Sequence, residues 1–499
     1  MLTRYLRDDP SLTLATDLYE LSMAQGYWKC GMTETQSVFH MFYRANPFGG
    51  GYVIWTGLSD VLDVLENFRF SPGDLEYLAQ LTSSSGSLLF DRDFIAYLEQ
   101  FRFTCEVRAF EEGTVVFPHA PLLEIRGPIL EAQLVETIVL NILNFQSLIA
   151  TKSARICHAA QNDPVIDFGL RRAQGIDGGF SASRAAYVGG CLGTSNVLAA
   201  RHLGIRPMGT FAHSWVMSFD TEMESFKAFS HNMPDNCVFL VDTYGSLNGV
   251  RKAIDISLRL REEGHEMLGI RLDSGDLAYL SRKSRDLLNK AGFPKAMILA
   301  SGDLDEWLIR SLKEQGARIN AWGVGTRLVT AHGDPALGGV YKLSAIRNRD
   351  AGEWSYRLKL SETKAKVNIP GLLQVYRFFD SDGRYHMDAI VEEGESPESL
   401  RKIIDPNDNT MFKQINPEYR GQAMLKPVFR DGKRLAECPP ISQLQERVQD
   451  QLAHLHHGHK RFENPHIYPV GLSVRLNNIR DELISKARLE SESGQQGWL

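Results

Sequence analysis

Between Val165 and Arg327 the chain repeats one pattern six times: a short apolar run, a cluster of polar residues or glycines, then a stretch with helical spacing. The runs are Val165–Phe168, Pro207–Thr210, Val238–Val241, Leu268–Leu272, Met297–Ala300 and Ala321–Val324. They start roughly 25–40 residues apart, about the length of one strand-plus-helix unit. The helical stretches between them include Ser183–Leu203, Ser246–Glu263, Leu277–Ala291 and Leu304–Gln315. Alternating strands and helices imply a parallel sheet. An open doubly wound sheet and a closed barrel share that signature, and the polar clusters separate them. Nearly every run ends in reactive side chains or glycines: Asp167 with Arg171, His213, Asp242 with Thr243, Asp273-Ser274-Gly275-Asp276, Ser301-Gly302-Asp303, and Gly323–Arg327. A barrel brings all its strand C-termini to one face. An open sheet uses only the two or three ends at its switch point. Six decorated ends favour an irregular β/α barrel.

The flanks read differently. The chain has 499 residues, more than a single core usually takes. The pattern places an α+β domain at 1–130, completed by part of 345–430, the barrel at 131–345, and β segments and helices at 346–499. In the first part, Thr16–Tyr27 reads as a helix start and Ser37–Tyr43 as a strand. From Glu131 to Ala160 there is no glycine or proline, and Leu134, Ile138, Ile142, Phe145 and Ile149 recur at helical spacing. That predicts one long buried helix or two joined ones. Tyr341–Ile346, Tyr356–Leu360 and Leu372–Phe379 read as strands, Gln443–Leu455 and Asn478–Leu489 as helices. The tail 491–499 is expected to lack structure.

Composition narrows the function. The net charge of −6 lacks the basic footprint of a nucleic-acid binder. The six cysteines are scattered without a C-x-x-C pair, which argues against a zinc ribbon or a disulfide framework. The N-terminus has no apolar signal-peptide core, and no run reaches the ~18 apolar residues of a membrane span. The expected compartment is the cytoplasm.

Gly323-Val324-Gly325-Thr326-Arg327 follows a strand, and its glycines let backbone N–H groups approach phosphate oxygens, with the Thr326 hydroxyl as a further donor. It is not a dinucleotide fingerprint, because Leu328 stands where the third glycine belongs. Ser301-Gly302-Asp303 ends the preceding strand, so the two loops can grip one phosphate. Arg271 and Asp273 share a strand face by alternation. They suit either a buried structural pair or an anionic substrate, with Asp273 and Asp276 directed at sugar hydroxyls or Mg²⁺. Phe168 beside Arg171 and Arg172 can stack on a flat ring next to an anion, or be core. His213 suits a general acid/base or a phosphate acceptor, or a satisfied core position. The group His454, His456, His457 and His459 reads better as a solvated loop than as a metal site. There is no P-loop.

These residues sit in segments that match something specific. TDLYELSMAQGY, YRANPFGGGYVIWTGL, LNFQSLIATKSARI, DFGLRRAQG, GTSNVLAARHLGI, GTFAHS, GIRLDSGD, GVGTRLVT, LGGVYKL and NPHIYPVGLS occur in collinear order over nearly the whole chain. The chain closely resembles the nicotinate phosphoribosyltransferases of the type II phosphoribosyltransferase group. The resemblance implies attack of nicotinate on C1 of phosphoribosyl pyrophosphate, giving nicotinate mononucleotide and pyrophosphate on the way to NAD. It implies coupled ATP hydrolysis in the manner of a ligase, Mg²⁺, and a homodimer in which the Tyr19 segment reaches a neighbour's active site. It also implies that His213 is the histidine transiently phosphorylated by ATP. By motif, Tyr19 and Phe168 would sandwich the pyridine ring. Arg271 and Thr210 would lie near the nicotinate, with Arg171 close by. Ser301, Gly302, Gly325 and Thr326 would hold the ribose 5-phosphate. Asp273 and Asp276 would approach the ribose or the metal-bound pyrophosphate, and Ser214, Ser274 and Gly275 would line the substrate site. In nicotinamide-using relatives an aspartate stands at the position of Ser195, which suits an amide and repels a carboxylate. The rival readings are a nicotinamide or quinolinate phosphoribosyltransferase and a non-catalytic nucleotide-binding barrel. A sugar-phosphate aldolase would want a lysine at a strand end, and none of the six ends has one.

Overall fold

The computed structural model describes residues 12–348, 352–360 and 368–495. Residues 1–11, which bear on the expected lack of a leader, and 496–499 of the tail lie outside them. The chain divides into two units: Ile149–Pro335, and the segments on either side of it.

The first unit is built on a parallel sheet. Its strands are Val165–Asp167, Gly193–Thr194, Val238–Leu240, Gly269–Leu272, Met297–Ala300 and Ala321–Val324. Across the sheet the order runs from Val238–Leu240 through the next three strands in sequence to Ala321–Val324, then back to Val165–Asp167 and Gly193–Thr194. The last strand therefore pairs with the first, Trp322 opposite Val165 and Val324 opposite Asp167. That cyclic order is the one a β/α barrel requires. Pro207 extends it by a single parallel bridge to Thr194. Among the described residues no ladder joins this edge to Val238–Leu240, so the ring is irregular at that point. Ile166, Leu299 and Ala321 pack together inside, with Phe168, Met208 and Met297 against them.

Two sequence expectations change here. Pro207–Thr210 forms the single bridge rather than a strand, since a proline and a glycine weaken a ladder. The expected helix Ser183–Leu203 is instead a helix Ile176–Val188, the strand Gly193–Thr194 and a helix Val197–Leu203. The break is Gly189-Gly190. A Cβ on Gly189 would lie 2.3 Å from the Ala150 carbonyl oxygen, and Gly190 has φ +121°. Only glycine fits that approach and that backbone, and the turn returns the chain to the sheet.

In the second unit, Gln36–Tyr43 lies between Leu123–Pro128 and Gly339–Arg347 in a seven-stranded antiparallel sheet. Chain that follows the barrel thus completes the N-terminal sheet. The glycine-free stretch is two joined helices, Ile129–Leu134 and Glu136–Ala160. The final helix runs over Val474–Gln495, longer than expected, so residues 491–495 of the tail are helical. No helix among the described residues is long and apolar enough to cross a membrane.

A second, six-stranded sheet holds the hairpin of Leu373–Phe379 and Tyr385–Glu392. At its centre Arg377 and Asp388 form a fully buried bidentate pair, with both N···O distances 2.8 Å. Tyr468 donates to the same carboxylate at 3.0 Å, and Arg377 donates to the Val115 carbonyl at 2.8 Å. Removing one partner of a buried pair strands the other charge. Asp388→Ala is expected to destabilise this unit by roughly 3–5 kcal/mol, read as a fall in the urea unfolding midpoint.

Candidate active site

Three loops of the first unit meet at the Arg271 side chain. Its guanidinium donates in three directions: Nε to Ser301 Oγ at 2.7 Å, Nη1 to Thr210 Oγ1 at 3.0 Å, and Nη2 to Asp273 Oδ1 at 2.6 Å. The planar fork of arginine allows this, and a lysine could not span it. Ser301, itself buried, passes the contact on by donating to Asp273 Oδ1. Thr210 donates onward to the Phe211 carbonyl at 3.2 Å. One cation thus ties three loops into one network. Burial pushes the Asp273 carboxyl up, but the bonds from Ser301 and Arg271 and the charges of Arg271 and His213 outweigh it. The group is held below the usual carboxylate range.

Phe168 stands at the end of the first strand, with the Arg271 guanidinium carbon 5.7 Å from its ring centre. Two features place that ring. The Phe168 N–H donates to the Val324 carbonyl at 2.8 Å. Gly323 lies directly under the ring, where a Cβ would come within 2.4 Å of it. Asp167 works behind the site, taking bonds from Gly169 N–H, Ser183 and Thr194 at 2.7–2.8 Å. Burial raises its pKa despite those bonds. Ser195 is exposed, and its N–H donates to the Asp167 carbonyl at 2.8 Å.

His213 opens a five-residue helix, His213–Met217. Its Nδ1 lies 3.1 Å from Thr243 Oγ1, which turns Nε2 toward Asp273 Oδ2 at 3.8 Å. Asp242 takes the Asp273 N–H at 3.0 Å and the Ser274 hydroxyl at 2.6 Å. The other Asp242 oxygen is buried without a hydrogen-bond partner among the described residues. Asp242 and Thr243 were legible as a decorated strand end, but nothing in the sequence said that they hold His213 and the Asp273 loop.

The phosphate-type loops sit next to this network. Gly302 has φ +94°, and a Cβ there would meet the Asp273 carbonyl oxygen at 2.4 Å. Gly325 packs on the Phe168 carbonyl, and Thr326 begins a short helix. Arg327 pairs with Asp305, the residue capping helix Glu306–Glu314. Asp276 caps helix Leu277–Lys290 through the Tyr279 N–H at 2.9 Å. Gly275, φ +81°, turns the loop between Ser274 and Asp276. Arg171 and Ser214 are exposed. Tyr19 belongs to the other unit, on helix Leu18–Lys29, and is 48% exposed. Among the described residues no group of histidines, cysteines and carboxylates could alone hold a metal ion, the histidine-rich stretch included.

Comparison with known proteins shows the family. The description "Nicotinate phosphoribosyltransferase (NAPRTase) family" matches residues 164–351, the span that carries the whole Arg271 network. Its N-terminal and C-terminal domain descriptions match 14–144 and 373–480. The chain belongs to the nicotinate phosphoribosyltransferase family. A nicotinate phosphoribosyltransferase of Bacillus subtilis is 40% identical over 99% of each chain. One of Caenorhabditis elegans is 34% identical, over 93% of this chain and 92% of that one. The human nicotinic acid phosphoribosyltransferase structure superposes with a TM-score of 0.82 at 29% identity, covering 94% of this chain and 99% of that one. Family membership accounts for three separate matches along one chain, and the barrel unit carries the middle one.

Gly323→Ala is expected to push the Phe168 ring out of place at a cost of about 1–3 kcal/mol. The check is a lowered thermal midpoint, together with weaker binding of a flat aromatic acid such as nicotinate.

Proposed function

We propose that the protein joins nicotinate to the ribosyl group of phosphoribosyl pyrophosphate, with ATP hydrolysis coupled to the transfer, in the cytoplasm. The observation that carries the reading is the Arg271 guanidinium, fixed by three loops and set beside the Phe168 ring. A cation in the plane of a carboxylate and an aromatic face for its ring are what nicotinate asks of a site. The relatives' names favour nicotinate over nicotinamide, and no observation favours a non-catalytic barrel.

In this reading the pyridine lies on Phe168 with its carboxylate toward Arg271 and Thr210, and Arg171 nearby. Tyr19 of the partner subunit covers the other face in a homodimer. Ser301, Gly302, Gly325 and Thr326 take the 5-phosphate through backbone N–H groups and hydroxyls. Ser214, Ser274, Gly275 and Asp276 line the rest. The pyridine nitrogen forms its bond to C1 as the bond from C1 to pyrophosphate breaks, through an oxocarbenium-like state. Catalysis then rests on holding the nitrogen in line and neutralising the leaving group, with no strong base needed.

His213 is the proposed acceptor of the ATP γ-phosphoryl group, giving ADP, and water later releases phosphate. Thr243 holds the ring for this. A phosphate there adds about −1.5 to −2 charges beside Asp273. Mg²⁺ fits the arrangement: the partnerless Asp242 oxygen and Asp273 Oδ2 are hard carboxylate donors, and phosphate oxygens would supply the rest. Bound there, it would neutralise charge on the pyrophosphate.

The deciding experiment assays pyrophosphate release from nicotinate, phosphoribosyl pyrophosphate and ATP, alongside mass spectrometry of His213. Turnover with phosphate on His213 is expected; no turnover in folded protein overturns the reading. Phosphoribosyl pyrophosphate is expected to bind more tightly with ATP than without, and equal affinity in an active enzyme would refute the role given to the phosphohistidine. Ser195→Asp should lower kcat/KM for nicotinate by about 10-fold or more, since it sets a carboxylate near a carboxylate. Unchanged kinetics would remove Ser195 from substrate choice.

A further inference from the structure

One segment that carries the resemblance, residues 143–156, gives no side chain to the Arg271 network. Its two charged residues, Lys152 and Arg155, are nevertheless sealed inside the first unit. They lie one turn apart on helix Glu136–Ala160, 2% and 3% exposed. Glu306, fully buried, meets both. Its Oε2 lies 2.7 Å from Lys152 Nζ, and its Oε1 accepts from Arg155 Nε at 3.0 Å. A buried ion cluster is often no more stable than an apolar core of the same volume. Where these charges attach points to another use for them.

They hold the two loops of the expected phosphate cradle from behind. Lys152 Nζ also donates to the His332 carbonyl at 2.8 Å. The His332 N–H donates to the Arg327 carbonyl at 3.0 Å, and the Thr330 hydroxyl to the Thr326 carbonyl at 2.7 Å. That grips the Gly325-Thr326 loop. Glu306 opens helix Glu306–Glu314, whose cap, Asp305, follows Ser301-Gly302-Asp303. That grips the other loop. Asp305 pairs with Arg327 and joins the two directly.

The strands alone do not set this spacing. Met297–Ala300 pairs with Ala321–Val324 only at Leu299–Ala321 and Ala300–Trp322, so the ladder ends before Ser301 and Gly325. Beyond it both loops contain left-handed backbone at residues other than glycine, Asp303 at φ 41° and Ala331 at φ 46°. Such strain persists only where the surroundings over-determine it. The Lys152 bond to His332 falls one residue after Ala331, and the Asp305 cap two residues after Asp303. Each strained turn has its anchor.

We infer that Lys152, Glu306 and Asp305 are positioning residues for the ribose 5-phosphate: they hold the two cradle loops at the separation at which N–H groups from both reach one phosphate. The inference rests on the reading that Ser301, Gly302, Gly325 and Thr326 take that phosphate. The three residues act through the loops and not on the substrate. A misplacement of about 1 Å from a distant change can cost roughly 100-fold in rate. The loss should fall on the phosphate half of the site. The Phe168 ring is placed separately by Gly323 and Val324, and Arg271 keeps Thr210 and Asp273.

The test measures binding of ribose 5-phosphate and of nicotinate to the full-length protein by calorimetry, which needs no turnover. Lys152→Met keeps the side chain's length and loses both polar contacts. Asp305→Asn keeps the helix cap and loses the charge facing Arg327, so it serves if Lys152→Met does not fold. Each is expected to weaken ribose 5-phosphate about tenfold and to leave nicotinate within about twofold. Unchanged ribose 5-phosphate affinity in the folded variants overturns the inference. An equal fall for both ligands also overturns it, because general loosening would do that. Wild-type protein that binds no ribose 5-phosphate removes the cradle and this inference together, whereas binding without turnover removes only the proposed reaction.

Discussion

The three-way fork of Arg271 is the contact on which the rest of the barrel face depends. Thr210, Asp273 and Ser301 sit on three different loops, and each gives one oxygen to the same guanidinium. A half-buried cation needs that many acceptors, and the acceptors need the cation to stay in place. Asp273 then has a defined free oxygen facing His213. Charge pairing thus orders these three loops by itself.

Around that fork, close packing does what charge cannot. Gly323 leaves room for the Phe168 ring, and Gly302 for the Asp273 carbonyl. Behind them Asp167 gathers Gly169, Ser183 and Thr194 at the first strand's end. Asp242 and Thr243 give the His213 side its support. The face divides into an aromatic-and-cation slot, a loop cradle and a histidine held by a hydroxyl. The second unit has its own buried charge pair, Arg377–Asp388.

Much of this was legible in the chain. Five of the six apolar runs are strands, because buried parallel strands write themselves as continuous apolar runs. The sixth, Pro207–Thr210, is a lone bridge. The strand Gly193–Thr194 was hidden, since two residues carry no periodicity and the flanking helices mask them. Arg271, Asp273, Ser301 and Thr210 were each picked out, and the structure brings them together. Asp276 shows an ambiguity that sequence cannot lift: an aspartate before a helix is an N-cap as readily as a ligand, and here one of its two oxygens caps the helix.

What the sequence alone determined was periodicity and chemistry. It marked where strands end, which residues at those ends bear charge, hydroxyl or imidazole, and which family the motifs resemble. Those depend on neighbours along the chain. The tertiary structure decided the pairings between distant residues: Val324 beside Asp167, Arg271 beside Thr210, Gly339–Arg347 returning to Gln36–Tyr43. It also showed that Asp242 and Thr243 support the site. Hydrogen bonds and packing act over a few ångströms in space, and their distance along the chain leaves no local mark in the sequence.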